Sequence, residues 1–184
     1  ASIDNLPLEL QIQPKQMEKL EGILAESGAV EAYSPRLKFG GMYSDFEQTT
    51  GIRVNAVLPE EELEVTVAVP QRILEGPREP PYLQRGQIWL PELLANGLGA
   101  EVGDTGVIIA TNLDGAVNGM TFEIVGILES VTGPGGRDAY IHLADGRELL
   151  RMEKPEVSEV AVRLQDFDNL EEAAQRLRSQ INQI

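Results

Sequence analysis

Apolar residues recur at helical spacing near the start of the chain. Met17, Leu20, Ile23 and Leu24 recur every three or four positions after Pro14, and Gly28 follows as a stop. The spacing predicts a helix over 14–27. The period then changes to two. Residues 30–33 read as a short strand and Ser34-Pro35 as a turn. Residues 36–43 and 52–58 read as two more strands, and the Gly40-Gly41 pair marks a bulge or bend in the first of them. Pro59 followed by Glu60, Glu61 and Glu62 reads as a solvated helix start. Residues 65–69 are a β-prone run, and 71–74 a helical turn ending at Gly76. Pro77, Pro80 and Pro81 then interrupt both helix and ladder pairing and mark a crossing between subdomains.

The stretch GQIWLPELLANGLGAEVGDTGVIIA fills 86–110. Its pattern is an apolar lead-in, a short helix over 91–95, a stop at Gly97 or Gly99, a tight turn and a buried strand over 107–110. In the turn Val102-Gly103-Asp104, Gly103 supplies the unusual backbone geometry and Asp104 accepts backbone N–H groups. Residues 112–119 form a polar hairpin loop. Residues 121–128 return as a strand, with Phe122, Ile124 and Gly126 on one face and Val125 and Ile127 on the other. After the loose loop 133–136 the chain changes character. Residues 139–143 read as a strand, 145–152 as a helix, and 159–164 as a strand with Val160, Val162 and Leu164 inward. Residues 169–184 read as a helix. Asp168 and Glu171 form a capping-box-like pair at its start, Arg176 and Arg178 lie towards its end, and Leu170, Ala174, Leu177, Ile181 and Ile184 share a face. Its periodicity is still running at the last residue and the chain begins without Met, so it reads as a piece excised from a longer protein.

The elements add up to an α+β fold. An α/β lobe is built from both chain ends, 1–80 and 138–184, and is interrupted by a small β-rich insertion over 81–137.

Composition narrows the possible roles. Thirty acidic residues against 15 basic ones give a formal charge of −15 over 184 residues. That balance disfavours nucleic acid and anionic lipid, both of which recruit Lys/Arg surfaces. There is no cysteine, which removes disulfides, thiolate nucleophiles and Cys-ligated zinc. No apolar run approaches the length of a membrane span. His142, the single histidine, lies between apolar neighbours in a predicted strand and lacks the partners that a metal site or a catalytic base needs. No G-x-S-x-G elbow is present, and the 133–136 loop lacks the Lys-Ser/Thr of a phosphate cradle. Glu60, Glu61, Glu62 and Glu64 lack Ca-loop spacing. The aromatic residues Tyr82, Trp89 and Phe122 read as core. The expectation is therefore a non-enzyme, with no catalytic, cofactor-binding or metal-ligating residue and no cofactor.

The ordered series VLPEEE (57–62), ILEGP (73–77), the 86–110 unit, FEIVGILES (122–130) and VRLQDFDNLEEAAQRL (162–177) resembles the periplasmic core domain of MacB/FtsX-like ABC-transporter permeases. That group includes the macrolide-exporter type and the lipoprotein-releasing LolC/LolE type. One departure is the run Asn55-Ala56-Val57-Leu58-Pro59, which stands where the family usually carries Gly-Ile-Asp-Pro. The segment 36–48 is nearer to the lipoprotein-releasing branch.

The resemblance implies a two-lobed domain, Porter-like at the chain ends and Sabre-like in the insertion, lying between two transmembrane helices outside a bacterial cytoplasmic membrane. It implies no catalytic residue in the domain, with Gly103 and Asp104 serving as turn-formers. The partners it implies are a cytoplasmic ATPase domain or subunit, a second permease copy, and a periplasmic partner protein or lipoprotein cargo. The implied role is to couple ATP-driven helix motion to export or release of a lipoprotein or small amphiphile; a hinge-like mechanism for that coupling would use the Pro77–Pro81 segment. Two other readings differ in what they require. A free-standing extracytoplasmic binding or adaptor module needs a ligand, and an enzyme working through a carboxylate pair needs a cleft holding two close acids.

Overall fold

The computed structural model describes residues 12–131, 134–165 and 170–181. In chain order the elements are α1 (Pro14–Glu26), β1 (Val30–Ser44), β2 (Thr49–Val57), α2 (Pro59–Val65), β3 (Ile73–Glu75), β4 (Gln87–Pro91), α3 (Glu92–Leu98), β5 (Thr105–Thr111), β6 (Val117–Leu128), β7 (Asp138–His142), α4 (Leu143–Leu149), β8 (Glu159–Leu164) and α5 (Leu170–Ile181). Short 3-10 turns cover Pro70–Arg72 and Pro134–Arg137.

The strands form one sheet, and the sheet closes on itself. Its order runs β2-β7-β4-β6-β5-β1-β8, and β1 also pairs with β2. Six strands therefore make a ring in which β1 touches β2 along Arg36–Ser44 and β5 along Met42–Ser44. Closure fills the centre with side chains. Leu37, Phe39, Tyr43, Val54, Ile88, Ile108, Phe122, Ile124 and Ile141 belong to one buried cluster, to which α3 adds Leu94 and α4 adds Leu149. Alternation along β1 puts Gly41 in the inward phase of Leu37, Phe39 and Tyr43. A Cβ at Gly41 would lie 2.7 Å from the Ile109 carbonyl oxygen. The β1–β2 register runs unbroken across this point, so Gly41 is the place where β5 crosses close to β1, not the expected bulge.

The bulge lies elsewhere. In the parallel β4–β6 ladder Ile88 pairs with Ile124 but Trp89 pairs with Gly126. Val125 is the extra residue, and one extra residue reverses which face the following side chains use. Ile127 accordingly joins the interior cluster with Phe122 and Ile124, although simple alternation placed it opposite them. The outer face of β4 and β6 carries a second cluster. There Trp89 and Leu128 pack with Leu63, Val69, Ile73 and Leu83.

A third cluster contains residues from both chain ends only. Leu20 and Leu24 of α1, Leu164 of β8 and Leu177 of α5 form its buried core, with Val30, Tyr33, Val160 and Ile181 against it. α1, α5, β8 and the first part of β1 thus share one layer of packing. It joins the barrel near Ser34–Arg36 of β1, where pairing with β8 on one edge ends and pairing with β2 on the other edge begins. The sheet itself runs across both expected boundaries: β4 and β5, both within 81–137, are hydrogen-bonded neighbours of β7 and β1 from the flanking segments, and β6 is a neighbour of β3. Sequence contiguity does not separate strands that a closed ring brings together.

Other local expectations change for identifiable reasons. Ser34-Pro35 is not a turn; β1 runs straight through it, with Pro35 opposite Val160 where the β2 side of the strand has no partner to miss its N–H. Residues 65–69 are the end of α2 and a turn, not strand. The predicted helical turn at 71–74 is displaced to Pro70–Arg72, and Ile73–Glu75 is strand. The helix expected at 145–152 starts earlier, at Leu143. Val162 on β8 is partly exposed rather than inward. Asp168, Asn169 and Ile184 lie outside the described residues.

Candidate functional site

On β1, period-two alternation turns Leu37 and Phe39 into the barrel and leaves Ser34, Arg36 and Lys38 on the other face. α2 packs over that face. Its residue Glu62 is almost completely buried, whereas Glu60 is exposed as a solvated helix start should be. A buried carboxylate must find donors, and Glu62 finds four. Ser34 Oγ and Arg36 Nε donate to Oε2 at 2.9 and 2.8 Å. Arg36 Nη2 and Thr66 Oγ1 donate to Oε1 at 2.7 and 2.9 Å. Arg36 reaches further, donating from Nη1 to Glu159 Oε1 on β8 at 3.0 Å, and Lys38 Nζ meets the same oxygen at 2.6 Å. One guanidinium therefore ties α2, β1 and β8 together at the point where the terminal layer joins the barrel. Burial works against charge on Arg36, but the hydrogen bonds it donates to Glu62 and Glu159, together with the charges of those two acids, outweigh it and hold the guanidinium pKa above its ordinary value. At Glu159 burial is likewise outweighed by hydrogen bonds from Lys38 and Arg36, so its pKa lies below the usual carboxylate value.

The sequence carried one usable sign of this. Ser34, Arg36 and Lys38 at alternate positions give β1 a polar outer face beside an acidic helix. The carboxylate that would be buried could not be told from its neighbours in Glu60–Glu62.

A second buried acid fixes the segment that leads into β4. Asp145 Oδ1 accepts from Arg85 Nε and Oδ2 from the Gly86 N–H, both at 2.8 Å. Arg85 also bonds to Glu148. The remaining sequence candidates fall into structural roles. His142 is the last residue of β7 and the N-cap of α4, its Nδ1 accepting from the Ala144 N–H at 3.1 Å. Gly103 has φ +101°, and Asp104 Oδ2 accepts from the Glu101 N–H at 2.9 Å, so both are turn-formers. Trp89 and Phe122 are fully buried and Tyr82 packs on the outer cluster. Among the described residues no group of His, Asp and Glu side chains is arranged to hold a metal ion.

Pro77–Pro81 forms an exposed loop joining β3 to β4. Both of those strands pair with β6, so the loop begins and ends beside one strand.

The sequence profile of the MacB-like periplasmic core domain matches residues 5–180. This chain is a MacB-like periplasmic core domain. A search of curated protein sequences gives no match. Among solved structures, the MacB-like domain is similar to the periplasmic region of MacB from Actinobacillus actinomycetemcomitans, with TM-score 0.61 and 9% identity over 94% of this chain and 75% of that one. It is also similar to the extracellular domain of the noncanonic ABC-type transporter YknZ from Gram-positive bacteria, with TM-score 0.60 and 13% identity over 92% of this chain and 84% of that one. At such identities the likeness is one of fold. Among the described residues of the MacB-like domain, no helix is long and apolar enough to cross a membrane.

Proposed function

We propose that this MacB-like domain is a non-catalytic transmission element of an ABC-transporter permease, carrying motion of the permease's transmembrane helices to a substrate or partner outside the membrane. The observation that carries the reading is the joint packing of both chain ends. α1 and α5 meet over β8 and the first half of β1, and β1 continues without a break into the barrel. A displacement of α1 against α5 is therefore delivered to β1 and to the Arg36–Glu62–Glu159 cluster. The cytoplasmic ATPase and a second permease copy belong to the same reading, as does export or release of an amphiphile or lipoprotein.

The test uses the full-length permease reconstituted with its ATPase. This segment has no cysteine, so a Leu20→Cys/Leu177→Cys pair can be joined by a bifunctional maleimide across the terminal cluster. Joining the pair should suppress substrate-stimulated ATP turnover and transport, and each single cysteine treated alike should not. Unchanged transport in the cross-linked protein would refute transmission through this layer.

A further inference from the structure

A cavity of about 300 Å³ opens at the end of the barrel where the β1–β2 hairpin meets the turn that ends α3. Its lining includes Tyr43, Asp45, Glu47, Gly99, Asp104 and Thr105. Three of these are carboxylates and none is basic. Tyr43 is completely buried, and its hydroxyl has no hydrogen-bond partner among the described residues. A buried hydroxyl left unpaired is costly, and its state calls for an explanation. Burial, with the charges of Asp45 and Asp104, pushes the Tyr43 pKa up to about 12, so the hydroxyl keeps its proton and sits within the field of both acids.

The rim is built as firmly as the floor. Asp45 Oδ1 accepts from the Glu47 and Gln48 N–H groups at 2.9 and 2.6 Å, closing the hairpin tip. That closure sets Phe46 at φ +76° with 69% of its surface exposed. A bulky aromatic residue held in the left-handed region carries backbone strain, and this one is turned to solvent.

We propose that this cavity receives a cationic side chain, Lys or Arg, from a protein partner, with an apolar neighbour of that residue packing on Phe46. A guanidinium or ammonium offers N–H donors to Asp45, Glu47 and Asp104 and is the chemistry that complements a mouth lined by acids. The flanking apolar contact uses Phe46, the large apolar side chain that the hairpin tip displays. The inference stands apart from the transmission role, since it concerns the opposite end of β1 and requires no motion of the chain ends.

The experiment is a titration of the isotope-labelled domain, followed by its amide resonances, with three probes: N-acetyl-arginine amide, N-acetyl-citrulline amide and the dipeptide N-acetyl-leucyl-arginine amide. The arginine probe should give saturable shifts at Gly99, Ala100 and Thr105 that the neutral, isosteric citrulline does not. Asp104→Asn keeps an acceptor for the Glu101 N–H and should weaken the arginine probe about three-fold, as expected for an exposed ion pair. The dipeptide should bind more tightly than arginine amide, and Phe46→Ser should erase that advantage while leaving arginine amide unaffected. Equal shifts from citrulline, or none from arginine, would overturn the cation site. A dipeptide that binds no better than arginine amide would overturn the protein partner and leave a site for free cations.

Discussion

Removing the guanidinium at position 36 gives the sharpest test of how the terminal layer is held to the barrel. In Arg36→Met, Glu62 keeps Ser34 Oγ and Thr66 Oγ1 as donors and loses both charge-assisted bonds, those at 2.8 and 2.7 Å. Glu62 is 1% exposed, so water cannot replace them. Stranding one member of a buried ion pair costs about 3–5 kcal/mol. Arg36 is itself 19% exposed, which places this case at the lower end, about 3 kcal/mol. The lost contact to Glu159 adds little, because that carboxylate is 41% exposed. With a urea m-value of about 2 kcal/mol/M, the unfolding midpoint of the isolated domain should fall by about 1.5 M. The double variant Arg36→Met/Glu62→Leu removes the stranded charge as well and should recover most of the loss, since apolar replacement of a buried pair is often near neutral. The assay is equilibrium urea unfolding followed by Trp89 fluorescence. A midpoint shift below about 0.5 M in Arg36→Met, or a double variant as unstable as the summed single changes, would refute the view that Glu62 depends on Arg36.

Three further outcomes follow from individual contacts. Gly146→Ala should destabilise by about 1–3 kcal/mol, against the roughly 1 kcal/mol gain usual for this exchange in a helix, because the new methyl would run into the Ala56 side chain, with Leu37 Cδ2 3.5 Å away; thermal unfolding gives the sign. Asp145→Ala should cost about 2 kcal/mol and sharply speed hydrogen exchange at the Gly86 amide, whose acceptor it removes. Glu159 has a folded pKa below its unfolded value, so its contribution to stability is present above the unfolded pKa, about 4.3, and is lost as pH falls through the folded one. Glu159→Gln should therefore lessen the loss of stability below about pH 4, measured by urea midpoints across pH 2–6; an unaltered acid limb would remove Glu159 from that linkage.

Much of the local structure was legible because local physics decides it. The α1 helix follows from apolar spacing, a first-turn proline and the stop at Gly28, whose φ is +62°. The turn before β5 follows from Gly103 and Asp104, and the turn after it closes on Asn112, whose Oδ1 accepts from the Asp114 and Ala116 N–H groups. The place of His142 in a strand followed from its apolar neighbours in the sequence. The ordered run of motifs between 57 and 177 carried the family, and the profile match over 5–180 bears it out.

What the sequence could not decide was which segments become neighbours. A strand's alternation shows two faces but not what lies against them. Closure of β1 onto both β2 and β5 makes one barrel of segments assigned to separate lobes, and gives Gly41 its role as a close approach. The extra residue at Val125 reverses Ile127 through a register set by β4, a strand more than thirty positions earlier in the chain. Glu60, Glu61 and Glu62 are chemically alike in sequence. Only the packing of α2 on β1 makes Glu62 a buried acid that needs Arg36, while Glu60 remains in water. Hydrophobic period, turn chemistry and caps act within a few residues and are written in the chain. Ring closure, strand register and the burial of one charge among several depend on contacts between distant residues, and those exist only in the folded protein.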